Sequence, residues 1–184
     1  MNNICVLIME YIEMVNLAEK LAKENGGFVG GSIMLCEHGV NLGREPKDID
    51  IIILEKSKFK HDLVLPEEMC EINAKENEPY GDSVIYQGVY EGVKIDFLRP
   101  LSTLMCYSMF ELDKMRLDSR WLLYASIASA ISAKQSYQNL KRAANIFGKC
   151  DSKHLYDLDN IYQFTEEHDI VGRFDSIDNI IEKP

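Results

Sequence analysis

The pattern of apolar and polar side chains divides the chain in two. From about 8 to 23 apolar residues recur at helical spacing, with Ile8, Ile12, Val15, Ala18 and Ala22 on one stripe. Asn25-Gly26-Gly27 then offers a left-handed stop. Phe28-Val29 reads as a short strand, Gly30-Gly31-Ser32 as a turn, and 33–38 as a short helix with Ser32 at its N-cap. A polar loop over 39–47, holding Gly43 and Pro46, leads into Lys47-Asp48-Ile49-Asp50-Ile51-Ile52-Ile53-Leu54. Period-two alternation there predicts a half-buried strand. Segment 56–62 is polar, 63–74 is weakly patterned with Pro66 interrupting any strand, and 76–82 reads as a loop. The runs 84–90 and 93–98 predict a hairpin joined at Glu91-Gly92, and Pro100 closes that unit.

Beyond Pro100 glycine nearly vanishes and helix formers dominate. Helices are expected over 101–110, 121–147 and about 151–164, with a last short one over 176–182. The second is either long or broken near Gln135-Ser136, with Gly148 as its C-cap. The expected fold class is α+β. Residues 1–100 form a mixed sheet flanked by helices, and residues 101–184 form a helical C-terminal part.

Composition narrows the partners. With 184 residues, 46% hydrophobic and 27% charged, the chain has material for a sizeable core. A net charge of -10 disfavours nonspecific binding to long DNA, which rests on phosphate neutralisation by Lys and Arg. A nucleotide arriving with Mg²⁺ brings its own positive charge. The five cysteines are scattered, and neither they nor His38, His61, His154 and His168 show zinc spacing. Reduced thiols in a cytoplasmic protein are expected. The apolar patch over 4–9 is too short for a signal peptide or a membrane span, so no membrane partner is expected.

The chemistry lies in the strands. Side chains at i and i+2 of a strand share a face. Ile49, Ile51 and Ile53 therefore go one way, and Asp48 and Asp50 the other. In the second run Val93, Ile95 and Phe97 go inward, and Lys94 and Asp96 outward. If these strands are neighbours, three carboxylates converge. A like-charge pair at ~4 Å costs roughly 1 kcal/mol in water and about 4 kcal/mol at an effective dielectric of 20. A divalent cation turns that cost into attraction, and Mg²⁺ prefers a few carboxylates together with waters and phosphates. Gly30 and Gly31 let backbone amides approach an anion closely, and Ser32 opens a helix whose first turn favours phosphate. Bland readings stand beside these: a solvated strand edge for Asp48 and Asp50, an ion pair with Lys94 or Arg99 for Asp96, and a plain turn for the glycines.

Taken in order, Gly30-Gly31-Ser32, Asp48-Ile49-Asp50 and Lys94-Ile95-Asp96-Phe97 resemble the DNA polymerase β-like nucleotidyltransferase superfamily. The stretch from Gly30 to Asp50 also looks like the opening of its tRNA-nucleotidyltransferase and poly(A)-polymerase branch. The resemblance covers roughly 8–98, about half the chain. One departure is a loop between Gly31 and Asp48 a few residues longer than is usual in that family.

The resemblance implies two Mg²⁺ ions on Asp48 and Asp50, with Asp96 completing the metal site and taking the proton of the attacking hydroxyl. It implies that Gly30, Gly31 and Ser32 hold the triphosphate. Two further candidates for nucleotide contact come from the residues themselves. Lys47 directly precedes the Asp pair, and Lys134 opens a basic stretch with Lys141, Arg142, Lys149 and Lys153. Tyr137 is a candidate for stacking on a base. The expected activity moves an NMP from an NTP such as ATP to a hydroxyl, releasing pyrophosphate. The acceptor is an RNA end, a small molecule or a protein. The competing expectations are a catalytically inactive nucleotide-sensing or toxin-antitoxin-type interaction protein on the same fold, and pyrophosphate transfer to a nucleotide.

Overall fold

A computed structural model describes residues 9–53, 62–71, 83–99, 123–125, 127, 130–131, 134 and 152–168. Helix α1 spans Tyr11–Asn25. The Glu10 amide donates to the Glu13 carboxylate at 2.9 Å, satisfying one of the orphan donors of the first turn. Gly26, at φ 62°, ends the helix, and the Gly27 amide reaches back to the Ala22 carbonyl at 2.8 Å. The buried stripe is Met14, Val15, Ala18, Leu21 and Ala22. Ile12, expected on that stripe, is 59% exposed, and the helix begins at Tyr11 rather than near 8. Ile12 is turned away from the face that Met14, Ala18, Leu21 and Ala22 bury, although Met9 and Tyr11 just before it pack on the core.

Strand β1, Phe28–Val29, runs antiparallel to β2, Asp48–Ile52. Strands β3 (Cys70–Glu71), β4 (Ser83–Tyr90) and β5 (Val93–Arg99) complete a five-stranded mixed sheet in the order β1-β2-β5-β4-β3. The expected β4–β5 hairpin forms, and Glu91 and Gly92 both take positive φ (47° and 80°). Such a two-residue turn follows the right-handed twist of the strands it joins. Pairing of β5 with β2 is parallel.

Between β1 and β2 lies helix α2, Gly31–Glu37, and helix α3 spans Ser152–Glu167. Helix α2 starts two residues before the expected position, with Gly30 rather than Ser32 as its N-cap. Ser32 sits inside the first turn, buried. Both α1 and α2 pack against β2. Ile49, Ile51, Ile53, Ile95 and Phe97 are fully buried with Leu21, Ile33 and Leu35 of the helices. Each such side chain contributes roughly 1.5–3 kcal/mol of burial, so β2 and β5 form a stiff platform.

The part beyond residue 100 shares this core. Tyr124, Ala125, Ile127, Ile131 and Ile161 belong to the same apolar cluster. The Ala125 amide donates to the Val29 carbonyl at 2.9 Å, and His38 Nε2 donates to the Ala125 carbonyl at 2.9 Å. His38 is thus a packing residue, as expected. Residues 127, 130, 131 and 134 are helical, as is all of 152–167. The helices expected over 101–110 and 176–182 lie outside the described residues. No helix among the described residues is long and apolar enough to cross a membrane.

Candidate active site

The alternation of β2 sets the site. Ile49 and Ile51 are fully buried on one face, while Asp48 and Asp50 on the other are half-buried. On β5 the same alternation buries Val93, Ile95 and Phe97 and turns Lys94 and Asp96 to the opposite face. The two strands are neighbours, and their register pairs Asp50 with Asp96 and Asp48 with Lys94. Parallel neighbours lie about 4.8 Å apart. One face therefore carries a four-residue patch of three aspartates and one lysine.

Asp96 is the best-anchored member. It is 5% exposed, the deepest of the three acids. Its Oδ1 accepts from Gln87 Nε2 at 2.7 Å, and its Oδ2 accepts from Lys94 Nζ at 2.6 Å. Gln87 is its register partner on β4, so Asp50, Asp96 and Gln87 form one row across three strands. An ion pair with Lys94 is one of the bland readings of Asp96. It is present, and it coexists with the alignment of the acids. Burial acts to lower the Lys94 pKa, but the hydrogen bond and charge of Asp96 oppose it, joined by the charges of Asp48 and Asp50, and the net effect is a raised value. All three carboxylates act on this one ammonium.

The glycine turn is fitted to Asp50. The Gly30 amide donates to the Asp50 carbonyl at 2.8 Å. Gly31 takes φ +58°, and a Cβ placed there would overlap the Asp50 carboxylate. Glycine is therefore required at position 31 by backbone conformation and by space together. Ser32 follows, buried in the first turn of α2. Lys47 is exposed where the loop enters β2.

Lys134 sits in a different cluster. Its ammonium donates to Asp157 Oδ2 at 2.9 Å, and Arg44 Nη2 donates to both oxygens of the same carboxylate at 3.0 and 3.2 Å. Asp157, on α3, is 1% exposed. This arrangement ties the loop before β2 to α3 and to the helical residue 134, and sequence reading missed it. Nearby, burial pushes the Cys36 thiol up, with Glu37 and Asp157 adding to that and Arg44 opposing it. Lys141, Arg142, Lys149 and Tyr137 lie outside the described residues.

Whether these residues fit Mg²⁺ turns on their chemistry. Among the described residues no three His, Cys, Asp or Glu side chains stand at the spacing of a ready-made metal cage. Mg²⁺ does not need one, since one or two carboxylates, waters and substrate phosphates satisfy it. Asp48 and Asp50 are oxygen donors on an accessible face, and the patch already draws in one cation, the Lys94 ammonium. The donor set therefore fits a hard cation shared with a phosphate substrate.

No protein-family model, curated protein or solved structure matches this chain.

Proposed function

We propose that this protein is a cytoplasmic, Mg²⁺-dependent nucleotidyltransferase, built on the nucleotidyltransferase type of mixed sheet, that transfers an NMP from an NTP to a hydroxyl acceptor. One observation carries the reading. Asp50 and Asp96 are in register on neighbouring strands, Asp48 shares their face, and the Gly30-Gly31 turn closes on Asp50. Asp48 and Asp50 would hold the metal. Bound there, Mg²⁺ supplies charge neutralisation for the triphosphate and for the leaving group.

The chain's own residues do the rest. The Gly30-Gly31-Ser32 turn, against which the Asp50 carboxylate already packs, would lie beside the phosphates that the metal holds. Lys47, exposed at the rim, is placed to meet an outer phosphate. Asp96 accepts the proton of the attacking hydroxyl. The hydroxyl oxygen then bonds to the α-phosphorus, the bond to the bridging oxygen breaks, and pyrophosphate leaves. Lys134 is committed to Asp157, so the nucleotide contact first read for it passes to Lys47 and the glycine turn.

One observation favours a second reading. Both oxygens of Asp96 have protein donors, as in a site that keeps its fold and has given up turnover. A non-catalytic nucleotide-sensing or toxin-antitoxin-type interaction protein would look like this. Incubation with α-labelled NTPs and RNA, small-molecule or protein acceptors separates the two. Transfer of label with pyrophosphate release supports the enzyme, and Asp50→Asn should cut it at least about 100-fold. Label transfer undiminished in Asp50→Asn, or no transfer to any acceptor class, would overturn it. Release of the α-label as free NMP, with no free pyrophosphate, would indicate pyrophosphate transfer to a nucleotide instead.

A further inference from the structure

A cavity lies on the helix side of the sheet, away from the carboxylate face. Tyr90 pairs in register with Val93, which is buried on the same side as Ile95 and Phe97, whereas Lys94 and Asp96 point the other way. Beside Tyr90, between α1 and the segment 62–68, the cavity encloses about 420 Å³, within the size range of small-molecule sites. Leu17, Lys20, Leu21 and Glu24 line it from α1, at the i, i+3, i+4, i+7 spacing of one helical stripe. Leu65 and Pro66 form the opposite wall. One buried side chain pins that wall to the helix. Asn25 Oδ1 accepts from the Val64 amide at 2.6 Å, and Asn25 Nδ2 donates to the Val64 carbonyl at 3.0 Å and to the Leu21 carbonyl at 2.9 Å. Asn25 is fully buried and meets both backbone groups of Val64, as a neighbouring strand would.

We propose that this cavity binds a small organic cation, an ammonium or guanidinium group carried on an apolar body. Walls and rim carry the inference together. Leu17, Leu21, Leu65, Pro66 and the Tyr90 ring offer contact to an apolar body, and Val64, 43% exposed, extends that surface to the mouth. Three carboxylates, Glu24, Glu67 and Glu68, line the same cavity against one ammonium, Lys20. All four side chains are exposed, and among the described residues none is held in an ion pair or hydrogen bond. The carboxylates are therefore open to an incoming cation. Tyr90 registers the sign of the local field. The charge of Glu91, then burial, then the charge of Glu68 and a hydrogen bond to Glu91 push its phenol pKa up. Its ring face adds a further attraction for a cation. An anionic ligand would meet an opposing field, and a plain hydrocarbon would leave the carboxylates unused. The inference goes beyond the nucleotidyl-transfer reading, because Asp48, Asp50 and Asp96 occupy the opposite face of the sheet.

The test titrates the full ¹⁵N-labelled chain with phenethylamine, protonated at pH 7, and with 2-phenylethanol as its uncharged counterpart. Phenethylamine should move the amide resonances of Leu17, Leu21, Leu65, Glu68 and Tyr90 and leave those of Asp48, Asp50 and Asp96 in place. The alcohol should bind at least about fivefold more weakly. Glu67→Gln combined with Glu68→Gln should weaken the amine by a similar factor and leave the alcohol unchanged. Both glutamates are exposed, so the double variant keeps the fold. No response to millimolar phenethylamine would overturn the inference. Equal affinity for amine and alcohol, undiminished amine binding in the double variant, or a response centred on Asp48, Asp50 and Asp96 would overturn it as well.

Discussion

Two charge clusters in this molecule use the same ingredients in opposite proportions. On β2 and β5, three carboxylates share one ammonium and lie partly open to solvent. Between the loop before β2 and α3, one carboxylate, Asp157, is shared by two cations and is fully buried. The second cluster has its charges met within the protein, and Asp157 anchors elements 113 residues apart in sequence. Its role is to fasten. The first gathers three carboxylates on an accessible platform, where their mutual repulsion is relieved by a cation that joins them. Burial and charge balance, more than the mere presence of ion pairs, separate a structural cluster from a candidate site.

If the comparison holds, substitutions in the two clusters should move different quantities. The largest effect is expected at Asp48. Asp48→Asn should cut nucleotidyl transfer at least about 100-fold in a labelled-NTP assay, while the melting temperature stays level or rises. Asp157→Ala should do the reverse. It takes from Arg44 and Lys134 the buried carboxylate they share, and removing one member of a buried pair costs about 3–5 kcal/mol. Because both cations keep some access to water, about 2 kcal/mol is expected in urea denaturation, with transfer per folded molecule unchanged. Equal responses in the two variants would erase the distinction.

Gly31→Ala sharpens the point, because it couples fold and site. Positive φ alone costs roughly 1–2 kcal/mol for a residue with a Cβ, and the Cβ must push the Asp50 carboxylate aside. Stability and transfer should fall together, unlike in either single-cluster variant. The smallest effect concerns Cys36, beside the fastening cluster. Burial raises its pKa, so little thiolate is present near neutral pH. Peptide mapping after brief alkylation at pH 8 should show Cys70, which is exposed, labelled well before Cys36. Raising the pH should narrow the gap.

The parts legible in the sequence were those governed by short-range periodicity. The Asp48-Ile49-Asp50 and Lys94-Ile95-Asp96 alternations fix which side chains share a face whatever the tertiary context. The Glu91-Gly92 turn and the Gly26 stop follow from local backbone preference. What escaped reading depends on distance along the chain. Nothing local indicates that β5 lies parallel to β2 with Asp96 opposite Asp50, or that Gln87 completes the row. Likewise Lys134 stood in a basic run that invited a phosphate-binding reading, yet its partner lies on a helix 23 residues on. Ser32 was misplaced as a cap because its side-chain chemistry suits that position. The positive φ of Gly31 starts the helix earlier, and Gly30 takes the cap instead. Ile12 shows the same limit, since a loosely kept apolar stripe does not fix which face of the helix meets the core.

The most direct test of the β2–β5 face as a metal-nucleotide site is thermal melting of the parent protein and Asp48→Asn with Mg²⁺, with each NTP, and with both together. Mg²⁺ and one NTP together, near 100 times the dissociation constant, should stabilise the parent by about 2.7 kcal/mol, a rise of roughly 5–10 °C. Asp48→Asn should show little of that rise. An unmoved parent, or an identical rise in Asp48→Asn, would contradict the account.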